Sequence, residues 1–197
     1  INVFLGINDI GMGTDGGGSV LAPAISLNLF SLIDPVLFRE ERKREKEKIS
    51  TDGISFMPSI GFISKNLKLV QELYLNLRGL ESSNRETKIL VDDEEICNLL
   101  KDEIVEVSSF EGKYDNERLA LIETAKRLLE KYDIIVSKEG PVDLNGFGDT
   151  VFGHFDDKTK KIQVAAKKGF LRIANMANCF ALTVPSGELS TAYVILC

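Results

Sequence analysis

The stretch Gly13–Ala24 reads GTDGGGSVLAPA, in which three consecutive glycines run into a serine and then into an apolar segment. Because glycine has no Cβ, its backbone adopts φ values that other residues avoid, and successive N–H groups can point at one oxygen. Ser19 would then lie beside the N–H groups of Gly16, Gly17 and Gly18. The pattern predicts a serine nucleophile with its own backbone oxyanion hole.

This stretch resembles the signature of the amidase signature family, which runs Gly-(Ser/Thr)-Asp-x-Gly-Gly-Ser-(Ile/Val)-Arg-x-Pro-Ala. The chain departs from it at Leu21, where the family has arginine, and it matches at Gly13, Thr14, Asp15, Gly17, Gly18, Ser19, Val20, Pro23 and Ala24. The resemblance implies that Ser19 is the acyl-forming nucleophile and that Asp15 and Thr14 support its loop.

Later stretches resemble further segments of the same family in the same order. They are Gly53–Gly79 with Pro58-Ser59-Ile60, Tyr132–Val136 followed by Pro141, Asn175–Gly187 and Ala192–Cys197. The family's glycines appear here as Asn28, Ser31 and Asn178, and a family proline as Phe180. A larger side chain where backbones approach closely strains a packed interior, which predicts a remodelled active-site wall.

The resemblance also implies a Ser-cis-Ser-Lys triad, whose lysine base and bridging serine precede the nucleophile in the family. The 18 residues before Ser19 contain neither lysine nor serine. An unactivated hydroxyl is a weak nucleophile, so we expect an upstream segment or a partner chain to supply both groups. Nothing in the sequence places Lys65 close enough to replace them. His154, the only histidine, is flanked by aromatics and is typical of a packing or surface residue.

Composition limits the remaining possibilities. With 197 residues, 44% of them hydrophobic and 27% charged, the chain predicts a single domain over residues 1–197 without a membrane span. The formal net charge of -6 argues against direct nucleic-acid binding. Three widely spaced cysteines predict thiols in a reducing compartment, the cytoplasm or an organelle matrix, and no metal site or cofactor is expected. They are Cys97, Cys179 and Cys197.

Local patterns predict an α/β or mixed layered fold. The resemblance implies a mixed sheet flanked by helices, an amidase-signature-like core without its usual N-terminal part. Residues 36–50 form a charged insertion, because Arg39–Lys48 reads REERKREKEK. Further expected elements are a strand at Ile1–Leu5, a loop at Gly6–Gly18 and a buried helix from Ser19 to Ile33. Helices are also expected at Ser64–Gly79, around Glu94–Leu100, after a cap at Asp115, and at Phe170–Ala177. Strands are expected at Lys88–Val91, Ile104–Val107, Tyr132–Val136, Ala181–Val184 and Ala192–Leu196.

Three hypotheses for function remain. The first is an amidase-type hydrolase or amidotransferase subunit, in which Ser19 attacks a carboxamide and the loop Val142–Phe155 contributes to substrate choice. The second is a catalytically inactive amidase-like interaction subunit, in which Ser19 only caps a helix. The third is a dinucleotide-binding domain, because residues 11–16 satisfy G-x-G-x-x-G and Asp34 lies about 20 residues further on.

Overall fold

A mixed eight-stranded sheet organises the chain in the computed structural model, which describes residues 1–41, 46–80, 86–100, 104–114, 117–142, 156–158, 161 and 165–197. The strands are β1 (Ile10–Asp15), β2 (Phe30–Asp34), β3 (Lys48–Ile49), β4 (Ser55–Phe56), β5 (Ser59–Ser64), β6 (Lys88–Val91), β7 (Ile104–Val107), β8 (Ile134–Glu139), β9 (Ala181–Pro185) and β10 (Ala192–Leu196). The helices are α1 (Leu21–Ser26), α2 (Leu67–Arg78), α3 (Glu94–Leu99), α4 (Arg118–Leu129) and a 3₁₀ turn at Phe170–Arg172.

The strand order is β1-β5-β2-β9-β10-β8-β6-β7, and β3 pairs only with β4 in a separate hairpin. β6, β7 and β8 are parallel to one another, while the other pairs in the large sheet are antiparallel. Adjacent residues of β2 pack into different apolar clusters, Ile33 with α1 and α4 and Leu32 with α2. Helices therefore cover both faces of the sheet, and the predicted α/β class is confirmed.

Several elements lie where local signals predicted them. α2 presents Val70 to the core and ends at Gly79, whose φ of 60° is the left-handed conformation that favours glycine. Its N-cap is Asn66 rather than Ser64, which ends β5. The β6, α3 and β7 unit and the strands β9 and β10 also match the predictions. The predicted cap Asp115 lies outside the described residues.

The continuous helix expected over Ser19–Ile33 is wrong in its second half. α1 ends at Ser26, and the chain turns through Asn28, which has a φ of 50°, into β2. Because β2 is hydrogen-bonded between β5 and β9 and covered on both faces, four of its five residues are buried, and its Leu32-Ile33 pair extends the apolar run of α1 as a buried helix would.

Two predictions for the first 18 residues are also wrong. Ile1–Leu5 forms turns, not a strand, and Ile1 is 86% exposed. Within the expected loop Gly6–Gly18, residues Ile10–Asp15 form β1. Side chains come close to the glycines of β1: a Cβ on Gly11 would stand 3.2 Å from Val3 Cγ2 and one on Gly13 3.3 Å from Val20 Cγ2. Opposite Gly13, in β5, a Cβ on Gly61 would stand 2.6 Å from the carbonyl oxygen of Leu32.

The last predicted helix, Phe170–Ala177, is helical only as the 3₁₀ turn, and the chain then continues in turns to Asn178. Asn178 has a φ of 59°, so both Asn28 and Asn178 adopt the left-handed conformation that asparagine tolerates. Ser31 is fully buried, and its hydroxyl lies 2.6 Å from that of Thr183. Backbone conformation thus accommodates Asn28 and Asn178, and hydrogen bonding accommodates Ser31.

All three cysteines lie in the described residues, and none is in a disulfide. Among the helices of the described part of the chain, none is long and apolar enough to cross a membrane.

Candidate active site

The candidate site begins where β1 ends. Asp15, the last residue of β1, is fully buried, and its carboxylate accepts the N–H groups of Gly18 at 2.6 Å, Val20 at 2.7 Å and Leu21 at 3.2 Å. These bonds fold residues 16–19, the glycine loop, around the carboxylate and cap the first turn of α1. Desolvation raises the pKa of Asp15 above its ordinary value, against the opposing effect of the N–H bonds from Val20, Gly18, Leu21 and Ser19.

Ser19 is exposed at the end of the glycine loop. The N-cap residue of α1 is Val20, whose own side chain makes no capping hydrogen bond. The Ser19 hydroxyl is therefore not used as a helix cap, since the Asp15 carboxylate serves that purpose.

The N–H of Gly18 points inward to Asp15, so it is not one of the oxyanion-hole donors that the sequence predicted. Gly16 and Gly17 are half-buried, and their role as such donors stays a prediction. Gly18 has a φ of 102°, and a Cβ there would stand 2.9 Å from the Leu171 side chain, so only glycine fits.

A buried amide fixes the carbonyl side of the loop. The Asn175 Nδ2 donates to the Gly16 carbonyl at 3.3 Å, and the Ser59 hydroxyl donates to Asn175 Oδ1. Ser59 lies opposite Asp15 in the β1–β5 register, so the amide ties the loop to the sheet. Both residues lie in stretches singled out in the sequence, Gly53–Gly79 and Asn175–Gly187, but no local pattern assigned them a role.

Side chains from two other elements contact the outer side of the loop. A Cβ on Gly16 would stand 2.5 Å from the Phe56 ring, and one on Gly17 would stand 3.2 Å from Arg118 Nη1. Arg118 begins α4 and is held by Asp52, which lies between β3 and β4. Sequence reasoning missed these contacts, because they join residues about 40 to 100 positions apart.

A second buried carboxylate supports the chain that packs behind the loop. Glu139 is fully buried and accepts the N–H groups of Gly169 at 2.7 Å, Phe170 at 2.6 Å and Leu171 at 3.3 Å. Desolvation raises its pKa to about 7, against the lowering effects of the Lys113 charge and the three N–H bonds. Leu171 is the residue that contacts Gly18. No pattern in the sequence indicated this acid.

The other predicted residues lie elsewhere. Thr14 is exposed on β1. Lys65 follows β5 at the end opposite to Ser59, about 20 Å along the strand at roughly 3.4 Å per residue, and its Nζ lies 5.6 Å from the Phe4 ring centroid. It is therefore not the base for Ser19. His154 and residues 143–155 of the predicted substrate loop lie outside the described residues, while Val142 is buried.

The dinucleotide hypothesis requires a glycine turn between a strand and a helix. Gly11 and Gly13 instead lie inside β1, which is paired antiparallel to β5. Asp34 ends β2 with 1% exposure, and its carboxylate accepts the Tyr74 hydroxyl at 3.1 Å and lies 3.3 Å from Arg78 Nε. The topology and the buried acid both contradict a nucleotide site here.

Comparison with solved structures identifies the fold. No family model and no curated protein match the chain. It is similar to a bacterial aryl acylamidase of the amidase signature family, with 13% identity over 99% of this chain and 60% of that one and a TM-score of 0.55. It is also similar to 6-aminohexanoate cyclic dimer hydrolase in complex with substrate, with 9% identity over 99% of this chain and 62% of that one and a TM-score of 0.56.

A third similar structure is fatty acid amide hydrolase, with 11% identity over 99% of this chain and 54% of that one and a TM-score of 0.51. The fold is that of the amidase signature enzymes. The chain spans 54% to 62% of the length of these three structures.

Proposed function

We propose that this chain carries the serine nucleophile of an amidase-type hydrolase or amidotransferase subunit that cleaves a carboxamide carbon–nitrogen bond. The observation that supports this most is the exposed Ser19 at the end of a glycine loop whose inner N–H groups bind Asp15. The hydroxyl is left available on a fold shared with amide hydrolases.

In this mechanism the Ser19 Oγ attacks the carbonyl carbon of the amide, and the carbonyl electron pair moves to oxygen. The N–H groups of Gly16 and Gly17 donate to that oxyanion, which stabilises the tetrahedral intermediate. The intermediate expels ammonia or an amine, which takes up the proton that a base removed from Ser19. Water or another acceptor then attacks the acyl ester and releases Ser19.

The base is a separate part of the proposal. Lys65 is at the wrong end of β5, and the Lys113 ammonium binds Asp92, the Ser137 hydroxyl at 3.0 Å and the Lys138 carbonyl at 2.8 Å. We propose that the lysine and the bridging serine come from a segment or a partner chain outside these 197 residues. The partners are then a small amide substrate or acyl donor and the polypeptide that supplies the base.

The test is labelling of Ser19 by a fluorophosphonate probe, located by mass spectrometry. It is applied to this chain and to the form isolated from its natural source, with Ser19→Ala as the target variant and the exposed Ser108→Ala as the matched control. Labelling that Ser19→Ala abolishes and Ser108→Ala retains supports the nucleophile. Labelling of the natural form alone supports an external base, and folded protein that is never labelled contradicts catalysis.

One observation favours a second candidate, the catalytically inactive interaction subunit. Leu21 replaces the arginine of the family signature and is fully buried in the main apolar cluster. The position at which the family signature has a charged residue is therefore occupied here by an apolar residue of the core. The labelling experiment separates the two candidates, because an inactive subunit leaves Ser19 unreactive in both preparations.

A further inference from the structure

The hairpin formed by β3 and β4 lies against the glycine loop. The Phe56 ring packs so closely on Gly16 that a Cβ there would stand 2.5 Å from ring atom Cε2 and 2.9 Å from Cζ. The hairpin overlaps the end of the charged insertion, residues 36–50, because Lys48 and Ile49 form β3. The charged insertion, whose sequence is typical of a solvent-exposed segment, thus leads into a hairpin that lies against the candidate site.

Arg118 is the second part of this wall, and its orientation is fixed. Its Nε donates to Asp52 Oδ2 at 2.6 Å and its Nη2 to Oδ1 at 2.5 Å, a two-point contact that holds the guanidinium plane. The Ser50 hydroxyl donates to the same carboxylate. Although partial burial acts in the other direction, the bonds from Arg118 and Ser50 lower the pKa of Asp52, so the pair is charged at neutral pH.

The third nitrogen of the guanidinium, Nη1, is the one that Asp52 does not use. It stands 3.2 Å from the position that a Cβ on Gly17 would occupy, and the Met176 methyl stands 3.5 Å from the same point. The Arg118 side chain is 21% exposed. A fixed N–H donor therefore lies beside the loop that ends in Ser19, with the Met176 methyl at the same glycine and the Phe56 ring at the preceding one.

We propose that Phe56, Arg118 and Met176 form a substrate subsite that selects amides with a planar apolar group and an uncharged oxygen acceptor. The subsite rests on the proposed function, since Ser19 would attack the amide bound beside it. Nη1 donates to the acceptor, and the ring and the methyl pack on the apolar part. Asp52 balances the guanidinium charge, so the subsite favours a carbonyl oxygen over a carboxylate.

The test uses two amides that differ by one oxygen, phenylbutanamide and its benzylic ketone analogue. Dissociation constants are measured by calorimetric titration of the 197-residue chain, which does not require turnover. A hydrogen bond from a charged donor corresponds to roughly 10- to 100-fold in affinity, so we expect the ketone to bind tighter by that ratio. Arg118→Met, which removes the donor and keeps an unbranched side chain, should bring the ratio close to one.

Control variants separate recognition from folding. Arg127→Met removes the same charge from an exposed position on the same helix and should leave the ratio as in the unmodified chain. Phe56→Leu should weaken the binding of both amides to a similar extent, because it changes only the apolar contact. An amide whose ketone is replaced by a carboxylate should bind no tighter than phenylbutanamide.

Two results would overturn the subsite: equal binding of the two amides to the unmodified chain, or an unchanged ratio in Arg118→Met. Failure to bind either amide counts against it as well. These outcomes are independent of the probe labelling of Ser19, so a reactive Ser19 with an unchanged ratio rejects the subsite and keeps the nucleophile. A Ser19 that is unreactive in both the 197-residue chain and the natural form, together with the expected ratio, rejects the catalytic proposal and keeps a binding site.

Discussion

Glu139 offers a quantitative test of the way in which this structure supports its glycine loop. The carboxyl group is fully buried beneath the 3₁₀ turn and accepts three backbone N–H groups, from Gly169, Phe170 and Leu171. Desolvation opposes its ionisation and raises its pKa from 4.5 to about 7, whereas the Lys113 charge and the N–H bonds act in the opposite direction. The variant Glu139→Gln keeps the shape and removes the titration.

The sign and size of the effect follow from the two pKa values. Between pH 4.5 and 7 the folded chain holds a proton that the unfolded chain releases, so the free energy of unfolding falls as the pH rises through this interval. One pKa unit corresponds to about 1.36 kcal/mol, which gives about 3 kcal/mol for the whole interval. This contribution is fully present below pH 4.5 and lost above 7.

The assay is urea denaturation of the chain and of Glu139→Gln at a series of pH values from 4 to about 8. Groups common to both proteins cancel in the difference between their unfolding free energies. We expect the advantage of the unmodified chain over the variant to shrink by about 3 kcal/mol across the series. A difference that stays constant, or that grows with pH, would refute the reasoning, because it would mean that the N–H bonds outweigh desolvation.

Three further variants test the contacts that hold the glycine loop. Asp15→Asn turns an accepting oxygen into an NH2 group facing N–H donors, so unfolding free energy should fall by about 1–3 kcal/mol in urea denaturation. Its probe labelling should slow roughly tenfold, and unchanged values would contradict the capping role. Asn175→Ala leaves the Gly16 carbonyl without its amide donor and should cost about 1–3 kcal/mol in thermal unfolding; a neutral effect would mean that water replaces the amide. Gly61→Ala places a methyl 2.6 Å from the Leu32 carbonyl oxygen and should cost about 1–3 kcal/mol, and a variant of unchanged stability would show that β2 can shift away.

Elements with local signals were predictable from sequence. α2 repeats its apolar residues at helical spacing and ends at a glycine with positive φ, and the β6, α3 and β7 unit has its own turn residues. The residues of β2 gave no such signal. Leu32 and Ile33 are buried by two different helix layers, and the buried polar residues Ser31 and Asp34 have hydrogen-bond partners far along the chain. Only the tertiary structure therefore separates this strand from a buried helix.

The candidate site was predictable to a similar degree. The signature residues located the glycine loop and Ser19, since those contacts are formed within a few positions of the chain. They did not locate Asn175, Arg118 or Phe56, which reach the loop from about 40 to 160 positions away. They also did not show which N–H groups point inward, because that depends on where the Asp15 carboxylate lies relative to the turn.

The use of buried carboxylates bears on the choice between a catalytic and a purely structural Ser19. A serine at a helix start normally caps it with its own hydroxyl, which requires no buried charge. Here Asp15 is buried at a desolvation cost to cap α1, and Glu139 is also desolvated, under the 3₁₀ turn whose Leu171 packs on Gly18. Both acids fix the backbone beside Ser19 while its hydroxyl stays exposed. This arrangement supports a nucleophilic role for Ser19, because a serine that only capped the helix would use its hydroxyl in a hydrogen bond to the backbone, whereas the Ser19 hydroxyl is exposed.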